Sequence, residues 1–210
     1  MRNSNKIILA MAAVGMMCAT SAFAAADGDS GGGTINFTGS VINAPCSVST
    51  DSQNINVLLG QVSNSSLNTV KYSDSKKITI SLINCSFPAP APANAPVNNG
   101  ESKASSDNAY SKVAVAFTGI SQTNPTGLAK GEIPNTAANP AQNVAIQLLK
   151  GDGVTPVDLS KTPEAGDAIP LDKTSTTNDL IFYARMAALS SGTVTTGDVS
   201  AQITYKLKYF

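Results

Sequence analysis

The stretch that decides the fold is VSAQITYKLKYF, residues 199–210. Val199, Ala201, Ile203, Tyr205, Leu207 and Tyr209 alternate with Gln202, Thr204, Lys206 and Lys208, a period of two that puts six apolar or aromatic positions on one face of a strand and polar ones on the other. This is the longest alternating run of the chain, and the sequence ends inside it. A core strand in that position predicts a neighbour supplied from elsewhere. The run GTINFTGSVI, residues 33–42, offers a matching candidate, with Ile35, Phe37 and Val41 on one face. Two arrangements stay open on periodicity alone: this run fills a gap in another molecule, or it folds back as an ordinary first strand of its own domain.

Between these ends the same alternation recurs in short runs: Ile78, Ile80 and Leu82; Val113, Val115 and Phe117; Val144, Ile146 and Leu148; Leu180, Phe182, Ala184 and Met186. Short alternating strands separated by turn-rich segments predict an all-β domain, a sandwich in preference to a barrel. The Pro/Ala run Phe87–Val97 and the stretches Gln122–Asn143 and Gly151–Lys173, rich in Gly, Pro and Asn, read as surface loops. No solenoid repeat is visible.

The first 24 residues read as a signal peptide. Arg2 and Lys6 precede an apolar stretch, Ile7–Met17, and the small residues Ala22 and Ala24 mark a cleavage site. The apolar stretch is shorter than the ~20 residues of a membrane-spanning helix. Cys18 follows Met17 where a lipidation site would have a small residue, so it belongs to the discarded segment. Residues 25–33 hold Asp27, Asp29 and three consecutive glycines, a composition that packs no core. Removing Arg2 and Lys6 leaves twelve basic against fourteen acidic residues, a net charge of −2 that gives no sign of nucleic-acid binding. Cys46 and Cys85, the two cysteines remaining in an exported chain, read as one disulfide, with two separately buried thiols as the alternative.

Chemistry-bearing motifs are scarce. The chain has no histidine, which removes the usual general base of hydrolases and the commonest zinc ligand, and the reading is non-enzymatic, with no cofactor. The pairs Asp27/Asp29 and Glu164/Asp167 lack calcium-ligand spacing and read as solvated loop acids. The glycines Gly31–Gly33 precede an alternating strand where a phosphate loop needs a helix and a lysine. Arg185, the one arginine after the signal, interrupts an apolar strand and reads as a structural hydrogen-bonding group.

At these residues the chain resembles the chaperone-usher pilins, in particular the major shaft subunits of type 1 and P fimbriae. The resemblance rests on GGTINFTGSVINAPCSV from Gly32 to Val48, on Cys85, on VAIQLL from Val144, on FYAR from Phe182 and on the ending YKLKYF, with Gly197 and Tyr209 at the family's glycine fourteenth from the end and penultimate tyrosine. The long Pro/Ala loop and the length depart from the common shaft subunit. The resemblance implies an incomplete immunoglobulin-like β-sandwich lacking its last strand, over residues 43–210, with 25–42 as a donor-strand extension. Pilin complementation is itself the standard example of this kind of strand addition. It further implies donor positions Ile35, Phe37, Gly39 and Val41, and an acceptor groove with Val199, Ile203, Tyr205 and Leu207. Tyr209 and Phe210 fall where a periplasmic chaperone captures the C-terminus. The implied partners are pilin subunits, that chaperone and an outer-membrane usher, and the implied location is a surface fimbrium reached through the periplasm. The competing readings are an adaptor subunit, a tip adhesin, for whose lectin domain there is no room, and a secreted carbohydrate-binding sandwich, which the absence of Trp disfavours.

Overall fold

The computed structural model describes residues 34–42, 44–87, 110–121, 125–190 and 192–210. The signal segment, Asp27, Asp29, the three glycines and most of the Pro/Ala run lie outside them. The chain divides after Val41 into two units.

The unit Ile42–Phe210 is built mainly of strands: β1 (Ser47–Val48), β2 (Lys76–Ile83), β3 (Lys112–Thr118), β4 (Glu132–Pro134), β5 (Val144–Leu149), β6 (Ile169–Pro170), β7 (Asn178–Ala188) and β8 (Thr204–Tyr209). Two short helices, α1 (Asn64–Val70) and α2 (Pro125–Ala129), join them. One sheet has the order β1-β2-β7-β5-β4 and the other β6-β3-β8, with antiparallel pairing throughout. The sheets stack as a β-sandwich.

The core follows the alternation. On β7 Leu180, Phe182, Ala184 and Met186 are all buried, and they meet Ile80 and Leu82 of β2 and Leu148 of β5. From the second sheet Val113 and Val115 of β3 close the layer, and Phe117 sets its ring edge-on to Phe182 at 5.3 Å. Inward positions at period two bury one face of each sheet, which supplies most of the folding drive.

Three expectations are corrected. β7, with eleven residues, is the longest strand, and the regular C-terminal strand begins only at Thr204. Its partner β3 ends at Thr118, and Gly119 turns the chain away at φ 77°, leaving residues 199–203 without a ladder. The stretch Gln122–Asn143, read as a surface loop, holds α2, β4 and the buried Ile133 and Ala141. In Gly151–Lys173, Ile169 pairs with Val113 on β3 while Val157 and Leu159 are half-buried against the main core. α1 rests on local signals too short for periodicity: Ser63 caps it by accepting from the Ser66 N–H at 3.1 Å, and Leu67 alone among its residues is buried.

Candidate strand-acceptor groove

β8 pairs with β3 on one side, and its other edge carries no ladder among the described residues. Along it exposure alternates strictly: Thr204, Lys206 and Lys208 face solvent, while Tyr205, Leu207 and Tyr209 are half-buried. Residues inside a closed sandwich would be fully buried, as Val113 opposite Tyr209 is. Half-burial of this face is the signature of an edge whose cover is incomplete.

A second wall, not singled out in the sequence, runs through residues 53–62. Ile55, Val57, Leu59 and Val62 are half-buried, whereas Asn56, Gly60 and Leu58, the last 81 % exposed, face out. This extended segment also has no ladder. Ile55 packs on the core cluster that takes Ile203, Tyr205 and Leu207; Leu59 and Val62 pack on a smaller cluster shared with Val199. Ser52, just before this segment, is tied to β8: the Tyr205 hydroxyl donates to the Ser52 carbonyl at 2.6 Å. The signal was present in the alternation Ile55, Val57, Leu59.

Of the residues expected in the groove, Ile203, Tyr205, Leu207 and Tyr209 border the main cluster, and Val199 belongs to the smaller one around Leu67, Val144 and Met186. Burial raises the pKa of the Tyr205 and Tyr209 phenols, so both remain protonated donors. The Tyr209 hydroxyl is buried without a hydrogen-bond partner among the described residues. Phe210 is held by its backbone: its N–H donates to Lys112 at 2.9 Å, and its carbonyl accepts from Ser111 at 2.7 Å and from Lys112 at 3.1 Å. Just ahead of the groove Gly197 has φ 154°, and a Cβ there would lie 2.7 Å from the Pro140 carbonyl carbon, so this close crossing requires glycine.

In the other unit, residues 34–41 form no ladder. Ile35 is 76 % and Phe37 89 % exposed, Val41 is fully so, and a Cβ added at Gly39 would meet nothing within 4 Å beyond its chain neighbours. Alternating apolar side chains left in water carry an unused burial free energy of roughly 1.5–3 kcal/mol each.

Cys46 and Cys85 form a disulfide across 39 residues, joining the start of β1 to the end of β2, and both are buried. Asp167 lies 3.6 Å from both Lys150 and Lys161, and Glu164 contributes its backbone N–H to it at 3.5 Å; these acids do not act as a pair. Among the described residues no cluster of three acidic or cysteine side chains could hold a metal, and no helix is long and apolar enough to cross a membrane.

A two-sheet sandwich whose edge strand β8 keeps an apolar face half-buried belongs to the class of structural subunits that can take a further strand. The family model for fimbrial protein matches residues 35–210, and the chain belongs to that family. It is 34 % identical over 202 residues to the uncharacterized fimbrial-like protein YbgD of Escherichia coli K12, covering 96 % of each chain. It is 31 % identical over 205 residues to long polar fimbria protein A of Salmonella typhimurium, covering 97 % of this chain and 96 % of that one. Among solved structures, the P pilus rod subunit PapA superposes with a TM-score of 0.60 at 25 % identity, over 80 % of this chain and all of that one. A subunit from a chaperone-usher pilus superposes at 0.61 and 25 % identity, over 86 % of this chain and 96 % of that one. Like the family, the protein is a structural pilin and not an enzyme.

Proposed function

We propose that this protein is a shaft subunit that polymerises head to tail, residues 25–42 of one copy completing the sandwich of the next. The observation that carries the reading is the coexistence of a groove between residues 53–62, which have no ladder, and residues 199–209, which have none on the side away from β3, and a separate run whose apolar residues are in water. An unpaired edge with apolar residues aggregates unless something pairs with it. Insertion of an alternating strand supplies ladders to both walls and buries Ile35, Phe37 and Val41 together with the inward face of β8. Gly39 permits a close approach that a side chain would block. Because the giving and receiving surfaces differ, the contact is heterologous and builds an open filament.

The same open edge calls for a protector before assembly, and the reading assigns this to a periplasmic chaperone, with handover at an outer-membrane usher after residues 1–24 have directed export. The similarity to a rod subunit and to the major MR/P fimbria protein of Proteus mirabilis, 30 % identical over 205 residues, supports shaft over adaptor. Deleting residues 25–42 tests the reading. The truncated subunit should still co-purify with its chaperone and yield no fibres by negative-stain microscopy; fibres of normal length from it would refute the donor assignment.

A further inference from the structure

After β1 the chain leaves the five-stranded sheet and becomes the outer wall of the groove, and Ser52 is held on both sides of that crossing. β1 is in register with β2 as far as Val48 opposite Leu82. The Ser49 N–H then donates to the Ser81 carbonyl at 2.9 Å, and a 3-10 turn, Thr50–Ser52, follows. Here a side chain takes over the ladder: the Ser81 N–H donates to Ser52 Oγ at 2.9 Å, and Ser49 Oγ donates to the same atom at 2.9 Å. Ser52 is 3 % exposed, one of two buried polar residues among those described. Its carbonyl receives the Tyr205 hydroxyl at 2.6 Å, which anchors it to β8 in the other sheet. A continuous path of β2, Ser52, Tyr205 and β8 thus spans the sandwich at the edge where no ladder closes it.

We propose that Ser52 and Tyr205 form a strut that fixes the spacing of the two groove walls and pre-organises the empty groove for the incoming strand, an inference that rests on the strand-exchange reading above. Among the described residues, no ladder joins 53–62 to β8 and fixes the distance between them. The tyrosine ring, with two rotatable bonds, is a spacer of defined length that loses little entropy on being pinned. Once the donor strand is fully inserted, ladders on both sides would hold the walls and the strut would matter far less; it acts during exchange, while the chaperone leaves the edge and the groove is only partly filled. Its signature is therefore kinetic: loss of the strut slows strand capture and leaves the filled sandwich almost as stable as before.

The test uses the full mature chain in its chaperone complex, challenged with a synthetic peptide GTINFTGSVI matching residues 33–42. Capture rate, spontaneous chaperone release without peptide, and the denaturant midpoint of the peptide-filled subunit are measured in parallel. Tyr205→Phe, which removes one oxygen, and Ser52→Ala should each slow capture about ten-fold, the scale of one lost hydrogen bond. The double variant should be no slower than either alone, because both act through one path. Ser52→Thr, which keeps the hydroxyl, should restore the rate. Unchanged capture by Tyr205→Phe overturns the strut, and so does a fall in the filled subunit's midpoint or a faster spontaneous release that accounts for the change. A wild-type subunit that never takes up the peptide overturns strand exchange itself, a result distinct from any difference among variants.

Discussion

Arg185 shows how one polar residue is accommodated in a strand of buried neighbours. Its Nε donates to Gln147 Oε1 at 2.9 Å, Gln147 passes the bond on through Nε2 to the Lys130 carbonyl at 2.9 Å, and the guanidinium lies 3.7 Å above the Tyr72 ring. The guanidinium is thereby both hydrogen-bonded and stacked, in keeping with the structural role read from the sequence. Asp152 gives a residue-scale prediction. Its carboxylate accepts from the Thr155 hydroxyl at 2.5 Å and from the Val154 and Thr155 N–H groups at 2.9 and 2.8 Å, and these bonds, the hydroxyl first, hold its pKa down to about 2. A depressed acid contributes stability above its unfolded pKa of about 4 and loses it as pH falls through the folded value. The turn after β5 should therefore stay formed at pH 4 and loosen as the pH drops towards 2. An NMR titration of the peptide-filled subunit should give an Asp152 midpoint near 2, tracked by the Val154 and Thr155 amides; a midpoint near 4 would contradict this geometry.

At the scale of elements, the two faces of the C-terminal segment carry opposite expectations. Ile203 packs against the main core on the groove side, and Lys206, opposite Ala116 on β3, is exposed. Ile203→Asp puts an unpaired carboxylate into a surface that the proposed strand insertion would dry, a penalty of at least a few kcal/mol. It should abolish both the chaperone complex and fibres, whereas Lys206→Asp should leave both largely intact; chaperone co-purification and surface fibre counts decide between them. The reverse pattern would mean that the faces had been assigned backwards. In the exposed run 35–41, Phe37→Asp should leave the chaperone complex formed and fibre extension blocked, since Phe37 is in solvent within its own chain. Normal fibres from this variant, seen by the same microscopy, would remove Phe37 from the interface.

For the whole molecule, the weak corner is the start of the sandwich. β1 has two residues and pairs only through Ser47–Ile83 and Val48–Leu82, so the Cys46–Cys85 disulfide carries much of the attachment of the first strand. Closing a loop of 39 residues is worth about 4 kcal/mol by chain-entropy arguments. Replacing both cysteines by serine should lower the unfolding free energy by roughly 2–5 kcal/mol, read as a fall in the denaturant midpoint of the peptide-filled subunit. It should also reduce the yield of chaperone complex, because the wall at 53–62 hangs from this corner. An unchanged midpoint would show that Ser52 and the packing of Ile55 suffice to hold it.

The amino-acid sequence by itself determined the class of fold and the inward faces of its strands. Burial follows alternation wherever a ladder forms, because side chains on a pleated strand point to opposite sides whatever the partner is. Leu180, Phe182, Ala184 and Met186 were legible for that reason, as were Tyr205, Leu207 and Tyr209 on β8. What periodicity cannot contain is pairing, since a ladder depends on backbone groups brought together across the chain. Residues 35–41, 55–59 and 199–203 alternate as cleanly as β7 and yet have no ladder. Only the tertiary structure distinguished them, and it alone placed Ser52 where the two sheets meet. The physical reason is that local sequence decides which way a side chain faces, whereas the sites left for a partner are decided by which backbone edges the rest of the fold leaves uncovered.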